Sequence, residues 1–279
     1  MTALMYHDVV AAGDEDASGF PGRDAALYKV TPETFSEHLD ALRNLFLNPT
    51  NPSNPSNPSN PSNPPDPPDP PAPPDLSITF DDGGASAMAA ADLLEARGFI
   101  GHFFITTNYI GTRGFAGEAD LRELARRGHV IGSHSCSHPL RMGHCTVAQM
   151  LDEWRGSRAI LSDILGADVR VASVPGGDFS MPVADAAAQA GITTLFTSEP
   201  SAQTQQLSGL TLAGRFTIQR WTTAKTVAAL AAGSWLPRAR QAAVWNAKKL
   251  TKRLGGERYL QLRRLLIGHG DEVRWGDQR

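Results

Sequence analysis

A parallel α/β barrel is the fold that this 279-residue sequence predicts, and three observations carry the prediction. Short apolar segments alternate with helical ones that stop at a glycine, at Gly98, Gly128, Gly166 and Gly191. A parallel sheet covered by helices reads this way. Seven strand-like segments are found and no Gly-x-Gly-x-x-Gly follows the first, which favours a closed barrel over a dinucleotide-binding sheet. Polar residues also gather where the strands end, and in such barrels the chemistry sits on the loops that follow the strands.

Taken in order, residues 3–6 form the first strand. Thr31 is placed to cap a helix that has Pro32 at its first position and runs to about residue 47. Residues 49–75, which hold 13 of the chain's 20 prolines, exclude helix and strand, because proline removes backbone donors and fixes φ. This Pro/Asn/Ser low-complexity loop is expected to be extended. It enters the second strand from the end opposite the polar residues. Strands then follow at 76–80, 102–106, 130–133, 169–174, 193–197 and 216–218, with helices at 85–97, 120–127, 146–165 and 182–190. From Pro237 a basic helix reads to about residue 254 and a second one over 258–267. The division expected is a barrel over 1–221, interrupted by 49–75, and a basic helical extension over 222–279.

Composition narrows the functions. Two cysteines, Cys136 and Cys145, cannot staple a scaffold. No apolar run is long enough for a membrane-crossing helix. The first residues show no basic and then apolar leader, so a cytoplasmic chain is expected. The net charge of −3 averages two parts, since 238–264 holds nine of the 26 Lys+Arg and one of the 29 Asp+Glu. The remainder is strongly acidic, which argues against nucleic acid as a partner. The basic helices suit either an anionic membrane surface, met through 237–267 at the inner face, or packing on the barrel with a solvated cationic side.

The strand ends read Tyr6-His7-Asp8, Phe80-Asp81-Asp82-Gly83 and Ser133-His134-Ser135-Cys136-Ser137-His138-Pro139. Histidines four apart share one helical face, a spacing that lets both imidazoles reach one metal. Asp82 supplies a third ligand and leaves Asp81 free as a base, since adjacent side chains after a strand point different ways. Adjacent aspartates alone are ordinarily a solvated turn, and a His-x3-His pair alone is ordinarily no metal site. Both together at barrel strand ends point to one. Of the other histidines, His102 reads as core, His38 and His129 as helix surface or end, and His144 as loop. Cys136 reads as packing.

Thr79-Phe80-Asp81-Asp82-Gly83 and His134-Ser135-x-x-His138-Pro139 resemble the first two motifs of the polysaccharide deacetylases, the NodB-homology or carbohydrate esterase family four proteins. The Tyr6-His7 start and Thr197-Ser198-Glu199-Pro200 are similar to members acting in exopolysaccharide synthesis. The resemblance implies a deformed (β/α)7 barrel, a divalent metal, commonly Zn2+, and hydrolysis of an N-acetyl or O-acetyl group on a sugar. It makes Asp81 the base and Asp82, His134 and His138 the ligands. Later motifs depart from the pattern. Ser173 stands where the family has an arginine that holds the base, so Arg215 or Arg220 is the expected replacement. Gly176 takes an aromatic's place, and its N–H is the expected oxyanion donor. The family's final Leu-x-x-His is matched only by Leu266-Ile267-Gly268-His269 in the basic tail, which leaves His7 as the better-placed acid. The expected function is metal-dependent removal of an acetyl group, N-acetyl first, from a polysaccharide or lipid-linked glycan. The alternative is a catalytically weak glycan-binding or scaffolding protein that keeps the metal site.

Overall fold

The computed structural model describes residues 1–47, 76–207 and 209–247. The proline-rich insert, the helix expected over 258–267 and Leu266-Ile267-Gly268-His269 lie outside the described residues. Among the described residues nine strands are found: β1 (Thr2–Tyr6), β2 (Leu76–Phe80), β3 (Gly101–Ile105), β4 (Val130–Ser133), β5 (Val171–Ser173), β6 (Thr194–Phe196), β7 (Thr204–Leu207), β8 (Leu210–Ala213) and β9 (Phe216–Thr217). They form one sheet in the order β7-β8-β6-β5-β4-β3-β2-β1-β9, parallel throughout except for the β7–β8 hairpin. The helices are α1 (Arg23–Ala26), α2 (Pro32–Leu47), α3 (Ala87–Glu95), α4 (Glu118–Arg126), α5 (Val147–Leu165), α6 (Met181–Gln189), α7 (Ala224–Ala231) and α8 over 235–247.

The deformed (β/α)7 barrel is present, with two corrections to the sequence reading. The ladder does not close. Its parallel run ends at β8 and β9, which are joined by Gly214-Arg215 and not by strand pairing. The β7–β8 hairpin was not expected, because Thr204–Leu207 is polar, three of its four residues are exposed, and it shows no apolar alternation.

Strand parity sorts the side chains into two layers. Leu4, Tyr6, Ile78, Phe80, Phe103 and Ile105 face outward and join Phe35, Leu39 and Leu94 of the helices in the main core. Ala3, Phe104, Phe196 and Ala213 face inward and pack with Val171 in the barrel interior. The inward set continues as Ser77 and Thr79 on β2 and as Ser173 on β5, all buried. Thr79 donates its hydroxyl to the Leu4 carbonyl (3.0 Å), so this polar position is satisfied.

The helices start and stop as their end residues dictate. The Thr31 hydroxyl accepts from the Thr34 N–H (3.2 Å) ahead of α2. Thr146 and Gln149 make a reciprocal capping box at α5, which ends at Gly166 with φ 64. His38 is not the surface residue expected. It is buried, 3.2 Å from the Tyr6 hydroxyl through Nδ1 and 2.8 Å from the Thr222 carbonyl through Nε2. Beyond residue 221 the chain stays on the barrel. Val227 and Leu230 of α7 enter the main core. Arg238 of α8 lies over the Phe216 ring (5.0 Å) and donates to the Thr2 hydroxyl (2.8 Å), while Gln241 bonds both the N–H and the carbonyl of Thr217 (3.1 and 3.0 Å).

Candidate active site

The site lies at the carboxyl ends of β1, β2, β4 and β5. Parity along β2 carries Ser77, Thr79 and then Asp81 to the inner face, whereas Asp82 follows at φ 75 and turns to the rim. Among the described residues, the non-glycine residues with positive φ are Asp82, Ser135 and His138, all of them in this site. Such conformations persist where the surroundings force them, and they concentrate at functional sites.

Asp82, His134 and His138 offer ligand atoms that all lie within 4.8 Å of one another. Asp82 Oδ1 is 3.4 Å from the Nε2 atoms of both His134 and His138. A tetrahedral centre with bonds of about 2.1 Å separates neighbouring ligands by about 3.4 Å, so these residues fit one small divalent ion. The tautomer fits as well. His134 Nδ1 lies 3.1 Å from the Ser173 carbonyl and 2.6 Å from its hydroxyl oxygen, so it carries a proton and leaves Nε2 as the atom that can ligate an ion. Burial pulls the His138 pKa down to about 4 against the opposing charge of Asp82, which keeps that ring neutral as ligation requires. Burial by itself would raise the Asp82 pKa, but the His134 hydrogen bond and the charges of His7 and His138 outweigh it and hold the carboxyl far below its usual range.

The His-x3-His spacing does not work through a helix, as expected, but through a loop. Glu153 of α5 holds that loop by accepting the N–H groups of Cys136 (2.8 Å) and Ser137 (2.9 Å), while the Ser135 hydroxyl accepts from His138 N–H (3.0 Å). The Cys136 thiol points at the Glu153 carbonyl (3.4 Å) and belongs to this packing.

Asp81 is not one of the ligand set. Arg215, fully buried in the seam between β8 and β9, donates to its two oxygens at 2.6 and 2.7 Å in the bidentate manner. The same guanidinium donates to the Thr79 hydroxyl (3.1 Å) and the Thr197 carbonyl (3.1 Å), and lies 5.6 Å from the Phe104 ring centroid. Burial by itself would raise the Asp81 pKa; the Arg215 and His134 charges reverse it and hold the carboxyl below its usual range. Of the two arginines put forward, Arg220 is not the partner: its side chain is half exposed and its carboxylate neighbour is Glu15, 3.7 Å away.

Ser173 is the link that sequence reasoning missed. Its hydroxyl donates to Asp81 Oδ1 (3.0 Å) and accepts from His134 Nδ1, so it ties the base to a metal ligand. The only sequence signal was a serine in an arginine's place. Lys29 also went unnoticed. Its buried ammonium donates to the carbonyls of Glu15, Ser18 and Phe20 (2.6, 2.5 and 2.7 Å) and pairs with Asp8 (3.8 Å). This clamp sets the Phe20 ring 4.8 Å from the His138 ring.

The two remaining expected residues are placed as follows. The His7 ring packs tilted against that of Tyr28 (4.9 Å between centroids), is close enough for its charge to lower the Asp81 and Asp82 pKa values, and has a buried Nδ1 without a partner among the described residues. Gly176 has φ 62 in the Pro175–Gly177 turn, and a Cβ there would stand 2.6 Å from the Leu140 carbonyl oxygen.

An open (β/α) barrel with two imidazoles and a carboxylate at its rim, and an ionised buried aspartate beside them, defines a metal-site hydrolase class. Residues 69–195 match the family model for polysaccharide deacetylase. By that stretch, a little under half of the chain, the protein resembles the polysaccharide deacetylases. Its fold is similar to that of the Streptococcus pyogenes deacetylase PplD in complex with acetate (18% identity, 81% of this chain and 95% of that one, TM-score 0.60). It is similar also to IcaB from Ammonifex degensii (19%, 82% and 96%, 0.60) and to a de-N-acetylase from Aggregatibacter actinomycetemcomitans (17%, 82% and 98%, 0.59). Among curated proteins, no sequence relative matches at a significant level.

Proposed function

We propose that this enzyme removes the acetyl group from the nitrogen of an N-acetylated sugar in a polysaccharide or lipid-linked glycan. The observation that carries the reading is Asp81, buried and ionised against Arg215, beside a ligand set that fits a divalent ion. Asp82, His134 and His138 would hold that ion, and two imidazoles with one carboxylate are a set that catalytic Zn2+ uses. When bound it supplies Lewis acidity to the acetyl carbonyl and lowers the pKa of a water. Asp81 takes the proton from the attacking water. The N–H of Gly176 donates to the carbonyl oxygen as charge gathers there. His7, on the inner face at the end of β1, gives a proton to the departing amine, so that acetate and a free amine leave.

Acetate release from N-acetylated oligosaccharides, with and without chelator, tests the reading. Wild type is expected to release acetate that chelator abolishes and added divalent metal restores. A metal-loaded protein that frees acetate from no glycan would favour the binding or scaffolding role.

A cytoplasmic location with peripheral contact at an anionic membrane through 237–267 belongs to the same proposal. Trp235 and Leu236 are exposed at the start of α8 near exposed Arg240, which supports it. Arg238 is excluded from that role, since it bonds the Leu230 carbonyl (2.7 Å) and Thr2. Salt-sensitive co-sedimentation with anionic vesicles, reduced by Trp235→Ser with Leu236→Ser, is the expected result.

A further inference from the structure

We infer that a hollow walled by Phe179, β8 and α8 is a subsite for a neutral sugar unit next to the one that is deacetylated, and that Trp245 sets its specificity. The inference rests on the deacetylase reading above. It begins at Gly177, where φ is 63 and a Cβ would meet Trp245 Cη2 at 3.2 Å and Ser198 Cβ at 3.3 Å. The indole of α8 therefore reaches the turn at the residue after Gly176, the position where this chain has glycine for the family's aromatic.

Trp245 and Phe179 line a cavity of about 280 Å³ together with Glu199, Gln205 and Asn246. Thr197 and Gly214, the residue before Arg215, also line it, and the Thr197 carbonyl accepts from Arg215 Nε (3.1 Å). Arg215 thus links one wall of the hollow, at Thr197, to the Asp81 carboxylate on its other side.

The lining selects the ligand. The C–H face of a pyranose packs on aromatic rings, and planar amides donate to and accept from its hydroxyls. Its one ionisable side chain is Glu199, an acid, so anionic sugars are repelled and neutral ones are not. The volume lies near the lower end of small-molecule sites, ~300 Å³, which suits one ring and not a run of them. Two features argue that Trp245 is there for binding. Arg238 and Gln241 fix α8 to β1 and β9, which makes a rigid platform. The Trp245 Nε1 is enclosed with no acceptor among the described residues, a cost that packing alone gives no reason to keep. Trp245 and Asn246 also lie outside the stretch matched by the family model, so this specificity belongs to the C-terminal helix.

The test compares the full-length wild type with Trp245→Ala and Trp245→Phe on N-acetylglucosamine and on its β-linked trimer. The readout is the ratio of trimer to monomer kcat/KM. It is expected to be about tenfold in wild type, close to one in Trp245→Ala and intermediate in Trp245→Phe, with thermal melts showing that all three fold. Calorimetric binding of the trimer to Asp81→Asn, with and without Trp245→Ala, separates the two failures. If no variant releases acetate but Trp245→Ala still weakens trimer binding about tenfold, the deacetylase reading falls and the subsite stands. A ratio or an affinity that Trp245→Ala leaves unchanged overturns the subsite. So does equally tight binding of a hexuronate trimer.

Discussion

Asp81 and Asp82 are neighbours in sequence, both buried, and both held ionised, yet their surroundings differ in kind. Asp81 stays in register with β2, faces the barrel interior, and has both oxygens held by Arg215. Asp82 leaves the register at φ 75 and has only imidazole nitrogens, at 3.4 Å, opposite Oδ1. One carboxylate is partnered by a guanidinium and the other stands at ligand spacing from two imidazole nitrogens. The difference assigns the roles: a carboxylate fixed by a guanidinium can accept a proton without moving, whereas one grouped with two imidazoles at ligand spacing is a ligand.

The largest predicted effect breaks the ligand half. Asp82→Ala removes the shared corner of the triad, and we expect loss of stoichiometric metal together with a fall in kcat/KM of about 10³-fold or more, the factor that several kcal/mol of Lewis-acid stabilisation represents. Metal content after dialysis and acetate release check both parts. Asp81→Asn comes next, with kcat lower by about 10²–10⁴-fold and metal content unchanged. If Asp81→Asn also lost its metal, the division between the two carboxylates would be wrong.

Much of this was legible in the sequence, and what was not has physical reasons. The seven strands and the Asp81-Asp82 and His134–His138 pairs announce themselves through local patterns, namely apolar runs, glycine stops and motif spacing. Arg215 could be proposed but not chosen over Arg220, because the choice depends on where the seam of an open sheet falls and not on any local signal. Ser173 bridges Asp81 and His134 only because parity turns Ser173 and Asp81 to the same interior. The histidine spacing reads as helical because a repeat of four fits a helix, and the left-handed residues Ser135 and His138 that shape the loop carry no mark in the sequence. His38 was misplaced because a polar ring on an amphipathic helix reads as solvent-facing until a tyrosine and a carbonyl are found to meet it.

Breaking the base's support should have a smaller catalytic effect than removing the base. Arg215→Met leaves Asp81 buried without a cation, a change that for buried pairs costs about 3–5 kcal/mol of stability. The carboxyl pKa should rise, so the acid limb of the pH–rate profile should move upward while metal content stays constant. A melt and a pH profile of the same variant test this. Ser173→Ala removes the link between the halves, and an outer-shell partner of a metal-bound histidine is commonly worth about 10–100-fold in affinity or activity. We expect metal affinity to fall within that range and the Asp81–Arg215 pair to hold. Unchanged metal affinity would mean that the Ser173 carbonyl alone orients His134.

The smallest effect sharpens the comparison by adding a third titratable group on the same inner face. His102 of β3 has a buried Nδ1 with no partner among the described residues and lies 6.0 Å from the Phe196 ring. Burial pulls its pKa down to about 4, with His129 adding to the shift and the Ile78 backbone opposing it. Unlike the two aspartates it is kept neutral, not charged. The sign follows: the unfolded chain binds a proton near the ordinary 6.5 and the folded chain does not, so stability is intact above that pH and is lost as pH falls from 6.5 towards 4. Between pH 7 and pH 5 this one group should remove about 2 kcal/mol, which is roughly 4–8 °C in Tm for a chain of this size. His38 and His129, whose pKa values burial also lowers, add a background of the same sign. With chelator present to remove any contribution from metal release, His102→Gln should shrink the drop in Tm between pH 7 and pH 5 by roughly that amount. An equal drop in both proteins would show that His102 is hydrated or paired in the folded state, and the acid limb of activity would then report on the site alone.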